Sequence, residues 1–432
     1  MERAALALSG ALVALLASVP DAAAQSGKLE YAYVVLGGHG AIARTILSGT
    51  MECPTINLGG AAERMNVRAP ADDAFPVLVC ETLMPPGTTS ATIDGGLLPL
   101  PPLRFATIAT FGDTGCRLKA GGDSRKSHRH HDHPEAGKFQ DCNSASKWPF
   151  ARLSATVAAK RPDLVIHVGD YIYRESPCPP GDENCKGSPN GDDWPTWQAD
   201  FFRPASPLLA AAPWIMMRGN HESCARAGLG FFRFLHPELA RDDAPPACTD
   251  FLPPYTVDMG GKSFLVIDSS NAEDGCPDNA CDSAPYATQF KSLAPRPGAW
   301  LLSHRPIWAI GRKFNLNQTL QQALASSGGR LPPAIELVLS GHLHLFELLS
   351  FTDQRPLQLV VGNGGTTLDK KINRKLDGMA FGDTTVRYGR SVHHFGFAMI
   401  APGEDGSTMT LIEPSGRQRM KCALTSISAR CD

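Results

Sequence analysis

Leu164-Val165-Ile166-His167-Val168 breaks off at Gly169-Asp170-Tyr171-Ile172-Tyr173, and the form of this stretch decides the fold. Five residues rich in β-branched side chains, too few for a helix and closed by glycine, read as a buried strand. An aspartate stands where the strand gives way to its loop. The same form recurs outward in both directions. Phe105 to Phe111 runs into Gly112-Asp113-Thr114-Gly115, and Trp214 to Met217 leads to Gly219-Asn220-His221-Glu222. Trp300 to Leu302 stops at Ser303-His304-Arg305-Pro306, and Ile335 to Leu339 at Gly341-His342-Leu343-His344. Ser263 to Ile267 and Leu357 to Val361 also read as strands, with longer amphipathic stretches between the runs, the pattern of sheet covered by helices.

In open sheets the loops beyond the strand carboxyl ends converge on one crevice. Side chains scattered from Asp113 to His344 can therefore meet. Each motif alone is weak, because Gly181-Asp182, Gly191-Asp192 and Gly382-Asp383 carry the same dipeptide in loop-like surroundings, where it is an ordinary turn. A lone histidine at a strand end is usually structural as well. The combination outweighs these readings: five strand ends present Asp, Asp with Tyr, Asn with His, His, and a His pair, a hard oxygen and nitrogen donor set that excludes thiolate ligation.

In this order, Asp-x-Gly, Gly-Asp-x-x-Tyr, Gly-Asn-His-Glu, His and Gly-His-x-His, the chain resembles the calcineurin-like metallophosphoesterases, and within them the purple acid phosphatase branch, over residues 104 to 400. The resemblance implies an α/β (α+β) fold, a four-layer α/β/β/α sandwich of two mixed sheets flanked by helices. It implies that Asp113, Asp170, Tyr173 and His344 hold one metal ion and Asp170, Asn220, His304 and His342 the other, with Asp170 bridging. Many members of the wider superfamily carry histidine two residues after the first aspartate; here that place is Gly115, and a phenol stands at Tyr173. A tyrosinate suits trivalent iron, so Fe(3+) is expected at the Tyr173 site, with Fe(2+), Zn(2+) or Mn(2+) at the other. The implied reaction is hydrolysis of a phosphate ester by in-line attack of a metal-bound hydroxide. Catalytic roles fall to Asp170 and to His221 as substrate contact or general acid, with Glu222 orienting His221. Arg305 reads equally as a phosphate fork or a salt-bridge partner. Monoesters are the expected substrates. The alternatives are diesters or cyclic nucleotides at the same site, or a metal- or phosphate-binding protein without turnover.

The chain has 432 residues and a formal net charge of -2, so no global basic field points to nucleic acid or an anionic membrane. Arg3, an apolar run from Ala4 to Val19 and Ala22-Ala23-Ala24 have the layout of a secretory signal peptide cleaved after residue 24, predicting a periplasmic or secreted product. No later stretch is long and apolar enough for a span. All 12 cysteines follow that point, an even number that favours disulfides in an exported chain. No Cys-x-x-Cys pair occurs, against a zinc ribbon. Connectivity stays open, with Cys178/Cys185, Cys276/Cys281 and Cys422/Cys431 as short loops and Cys53/Cys80, Cys116/Cys142 and Cys224/Cys248 as longer ones.

Residues 25–103 read as a small β-rich domain ending in the Pro-rich linker 97–103, residues 104–402 as the catalytic domain, and 403–432 as a disulfide-tied tail. Gly38-His39-Gly40-Ala41-Ile42-Ala43 matches a dinucleotide fingerprint, but no crossover helix follows and a glycine turn is the simpler reading. Two inserts lie between motifs. Ser127-His-Arg-His-His-Asp-His133 reads as a solvated loop or a metal-recruiting run, and 175–197 places Trp194 and Trp197 either in packing or against a substrate.

Overall fold

The computed structural model describes residues 27–432 apart from 122–136, 277–279, 312–316 and 382. The expected signal peptide and the His-rich run 127–133 lie outside the described residues. An eleven-stranded sheet runs from edge to edge through Ala429–Cys431, Gln418–Leu424, Gly406–Ile412, Phe397–Gly403, Ile108–Phe111, Leu164–His167, Trp214–Met216, Lys28–Gly37, Gly40–Ser48, Leu78–Leu83 and Asn66–Ala69. An eight-stranded sheet runs through Tyr255–Met259, Lys262–Val266, Ala299–Leu302, Ile335–Ser340, Leu357–Val361, Phe346–Phe351, Thr384–Val392 and Ala380–Phe381. Every motif-bearing strand expected from the sequence is present, and these strands run parallel within their sheets.

The period of two along each strand divides the side chains between two cores. Leu164 and Ile166 join Ile215, Phe264, Trp300, Leu337 and Leu357 in one core between the sheets. Val165 and Trp214 turn the other way, onto Phe150, Leu153 and Val157 of the helix Phe150–Ala159 and onto Ala205 and Leu208 of the helix Arg203–Leu209. Val338 and Leu301 likewise turn outward onto the helices Ala284–Ser292 and Gln318–Ser326. Helix, sheet, sheet and helix make the four layers.

The domain division changes. Residues 25–103, expected as a domain of their own, contribute four strands to the eleven-stranded sheet; Lys28–Gly37 lies parallel to Trp214–Met216, with Val35 opposite Trp214. Only Thr55–Leu58, Ala61–Arg64, Ala91–Ile93 and Gly96–Leu97 form a small sheet apart. The tail beyond residue 403 supplies three further strands at the opposite edge. Edge pairing over such distances leaves no local signature, so short runs bounded by Gly and Pro read as separate. Gly37 pairs with Gly40 across the hairpin between the first two strands, which makes the fingerprint-like glycines a turn. All twelve cysteines pair as the neighbour spacing suggested.

Buried charge ties the first strands to the chain that follows the Asn220-His221 motif. Arg44 and Arg68, both fully buried, share Glu81 Oε2 at 2.8 Å each. Their guanidinium nitrogens, apart from Arg44 Nε, which has no partner among the described residues, also donate to the carbonyls of Phe232, Arg233, Phe234, His236 and Glu238 at 2.6 to 3.1 Å. One carboxylate thus balances two guanidiniums that cannot reach water. Glu81→Gln is expected to cost about 3–5 kcal/mol, as removal of one partner of a buried pair does. Denaturant unfolding reads this as a lower midpoint at unchanged slope, and a loss below about 1 kcal/mol, the scale of an exposed pair, would refute the anchoring role.

Candidate metal centre

The five motifs meet at the carboxyl ends of the strands, where the backbone is forced into close approach. Asp113, Asp170 and His342 take left-handed backbone angles, φ 57, 61 and 71. Such angles cost non-glycine residues about 1 kcal/mol or more each and persist where the surroundings over-determine them. Gly219 lies so near Asp170 that a Cβ there would stand 2.2 Å from Asp170 Oδ1. At Gly115, where other members of the superfamily carry histidine, a Cβ would meet Tyr171 O at 2.5 Å and Tyr173 N at 2.7 Å. The phenol of Tyr173 enters the site instead.

Two clusters form, and they share one residue. Ligand atoms of Asp113, Asp170 and His344 lie within 4.8 Å of one another, as do those of Asp170, His304 and His342. Tyr173 OH stands in the first cluster, 2.9 Å from Asp113 Oδ1, 2.7 Å from Asp170 Oδ2 and 2.9 Å from His344 Nε2. Asn220 Oδ1 stands in the second, 3.1 Å from His304 Nε2. All seven expected ligands are therefore brought together. Each of the two carboxylates turns one oxygen inward and gives the other to the backbone of a neighbouring motif: Asp170 Oδ1 accepts from His221 N at 2.8 Å, and Asp113 Oδ2 from His342 N at 3.0 Å.

The imidazoles follow one rule. His304 Nδ1 faces Val168 O at 2.7 Å, His344 Nδ1 faces Thr367 O at 3.0 Å, and His342 Nε2 faces Asp274 Oδ2 at 2.8 Å. Each outer nitrogen thus has an acceptor for its proton, the arrangement by which outer partners set a metal-binding tautomer. Against burial, the charge and hydrogen bond of Asp170 push His304 up to about 9, so its inner nitrogen carries a proton in the free protein that a cation would displace. A single phenolic proton is then shared among two carboxylates and an imidazole lone pair. Acceptors face acceptors, and a cation in each cluster resolves the conflict. The donor set fits two metal ions.

Electrostatics at the site follow from burial and these contacts. Burial pushes the Asp170 carboxyl up, but the His304 and His221 charges, the His304 ring hydrogen bond and the backbone N–H of His221 outweigh it and hold Asp170 well below the usual carboxylate range. Burial, then the Asp113 and Asp170 charges, push the Tyr173 phenol well above its ordinary value. The phenol keeps its proton until a cation competes for the oxygen. Burial pushes His221 down to about 3 against the pull of Asp170.

Glu222 departs from its expected role. Its carboxylate accepts from the backbone N–H of Asp170 at 3.0 Å, Tyr171 at 2.8 Å, Ile172 at 3.2 Å and Gly219 at 3.1 Å, so it joins two motif loops rather than touching the His221 ring. Burial, then the charge of Asp170, push Glu222 up to about 8. The ring of His221 is held instead at Nδ1, by Ile172 O at 3.0 Å and Glu175 Oε1 at 2.9 Å, and it lies 3.8 Å, centroid to centroid, from Tyr173. Arg305 settles as a salt-bridge partner of Asp274 at 2.9 Å. Trp194 and Trp197 are buried against Phe202 and Phe234, which is the packing reading.

Sequence reasoning missed three supports. Asp274 anchors His342; Asp200, buried, accepts from Tyr173 N at 2.9 Å and Cys116 N at 3.1 Å; Asp369 Oδ2 accepts from His344 N at 2.9 Å. None stands at a strand end or beside a motif glycine. Asp274 lies two residues before Cys276, whose pairing with Cys281 is the one local hint that its loop is held.

The family model for calcineurin-like phosphoesterases matches residues 106–346, more than half of the chain. The protein belongs to that family and is a metal-dependent phosphoric ester hydrolase. No curated protein matches it. Among solved structures, PhoD is similar in fold, with TM-score 0.53 and 12% identity over 93% of this chain and 91% of PhoD. GAP50, described as the anchor in the inner membrane complex of Plasmodium, aligns with TM-score 0.42 and 13% identity over 74% of this chain and 89% of its own. Among the described residues no helix is long and apolar enough to cross a membrane.

Because His342 is the expected ligand that Asp274 touches, Asp274→Asn is expected to weaken the cation of the His304 and His342 cluster about 10- to 100-fold and to spare the Tyr173 cluster. Equilibrium dialysis with metal analysis separates the two; equal loss from both clusters would contradict the assignment.

Proposed function

We propose that this chain is an exported, purple acid phosphatase-like phosphomonoesterase with a dinuclear centre bridged by Asp170. The observation that carries the reading is the sharing of Asp170 between two complete donor clusters. Asp113, Tyr173 and His344 complete one metal position, and Asn220, His304 and His342 the other. The phenol favours Fe(3+) beside Tyr173, with Fe(2+), Zn(2+) or Mn(2+) at the second position. Such a pair, when bound, lowers the pKa of water and neutralises phosphoryl oxygens during in-line displacement.

The chain's own groups then orient the ester and move a proton. With Nδ1 held by Ile172 O and Glu175, His221 presents Nε2 toward the centre, 3.9 Å from Asp170 Oδ2, where it contacts the ester. Burial keeps Nε2 without a proton in the free protein, and the charge of a bound phosphoryl group raises it so that it can serve the leaving oxygen. Beside it lies a pocket of about 240 Å³, lined by Ile172, Glu175, Asp192, His221 and Arg226 among others. Glu175 and Asp192 come from the insert 175–197. A pocket of this size holds one small leaving group and supports monoesters over extended diesters. Six disulfides with no free cysteine support an oxidising compartment.

The test is hydrolysis of a chromogenic phosphate monoester and its diester counterpart by protein loaded with iron, manganese or zinc. Monoester turnover should dominate, vanish in Asp170→Asn, and fall about 10²- to 10⁴-fold in kcat in His221→Ala, the range for loss of a proton-transfer group. Diester turnover of equal or greater rate overturns the monoester reading. For the metal, iron-loaded protein should show a broad visible phenolate band that Tyr173→Phe removes; a colourless, zinc-filled active enzyme refutes iron.

A further inference from the structure

Three guanidiniums lie against the side chains of the centre, each beside one of its imidazoles. Arg226 stands 2.7 and 2.8 Å from the ring nitrogens of His221 and is paired with Glu175. Arg305 stands 3.1 Å from His342 Nε2 and is paired with Asp274. Arg117 stands 3.5 Å from both ring nitrogens of His344, its guanidinium carbon 4.7 Å from the centroid of the Tyr173 ring. At this third position the pattern breaks. Among the described residues no carboxylate pairs with Arg117, and the further hydrogen-bond partner of its guanidinium there is Thr366 Oγ1, again at 3.5 Å. These contacts are longer than the roughly 3 Å of an ordinary N–H···O bond.

The backbone of Arg117 is by contrast firmly held. Its N–H donates to Gln140 Oε1 at 3.0 Å and its carbonyl accepts from Gln140 N at 2.8 Å. The preceding Cys116 is bonded to Cys142, and its N–H donates to the buried Asp200. A charged fork on an anchored backbone, against the Tyr173 and His344 side chains and without a strong partner, is preorganised for an oxyanion, since two parallel charge-assisted bonds match phosphoryl geometry. Gln140 Oε1 also accepts from Thr367 N at 3.1 Å, so the loop that runs on to the exposed Lys370 and Lys371 starts beside Arg117. Asp369 in that loop is engaged by His344 N at 2.9 Å, and the two lysines beyond it leave the flank with a net positive charge.

We propose that Arg117 binds the phosphoryl group of the substrate, and inorganic phosphate as product, through its guanidinium fork from the Tyr173 and His344 side. This rests on the phosphoesterase reading and adds a substrate contact that the motifs do not contain. Calorimetric titration of metal-loaded protein with inorganic phosphate tests it, with metal content measured on the same samples.

Arg117→Met should retain both metals and weaken phosphate about 10- to 100-fold, the scale of charge-assisted hydrogen bonds. Arg117→Lys, which keeps the charge without the fork, should fall between, and millimolar guanidinium should restore part of the affinity lost in Arg117→Ala. Wild-type phosphate affinity in Arg117→Met with both metals present would overturn the proposal, as would loss of metal, which would make Arg117 a support of the centre. Binding is read without turnover, so a wild type that binds phosphate through Arg117 yet cleaves no ester would contradict the hydrolase reading and leave this one standing.

Discussion

The carboxylate of Glu222 is the constraint on which the site depends. Buried behind the centre, it takes four backbone N–H groups from two motif loops that the sheet only brings near each other. Without an acceptor those donors would be left orphaned, at about 1–3 kcal/mol each. With it, the loop after Leu164–His167 is pinned to the loop after Trp214–Met216, and Asp170 is kept in a backbone conformation it would not choose. The position of Asp170 between the two clusters is thus held by backbone hydrogen bonding, and the strain is offset by the fan of bonds behind it.

From that anchor the site is built in two shells of opposite character. Inward, carboxylate oxygens, imidazole lone pairs and a phenol converge with too few protons among them. Outward, each of the same groups is fixed: His304 and His344 by main-chain carbonyls, His342 by Asp274, Asp113 and Asp170 by amides of other motifs. Surrounding guanidiniums offset the negative charge, two of them already paired with carboxylates. The arrangement is costly in the protein alone and becomes favourable once cations enter, which couples metal binding to local order.

Strand ends were the legible part of the chain. Short β-branched runs stopping at glycine mark both the strand and the residue it delivers, so Asp113, Asp170, Tyr173, Asn220, His221, His304, His342 and His344 could be read together. What escaped lacks that punctuation. Asp200 sits in a helical stretch, Asp274 in an irregular loop, and Arg117 two residues past its motif, where an arginine is ordinarily a solvated side chain. Glu222 was found, but its action on three amides of another motif could not be read from its position beside His221. The first strands escaped differently. Val34 and Leu36 face the core between the sheets while Tyr33 and Val35 face the helices, as the central strands do, yet a strand's partner is chosen by tertiary packing and not written in its own pattern.

Asp170 is proposed to bridge two cations. Anomalous scattering from crystals of the metal-loaded protein measures it directly. Two peaks about 3.5–4 Å apart are expected, one between Asp113, Tyr173 and His344, the other between Asn220, His304 and His342, with Asp170 between them. A single peak, or two that do not share Asp170, would contradict the bridge.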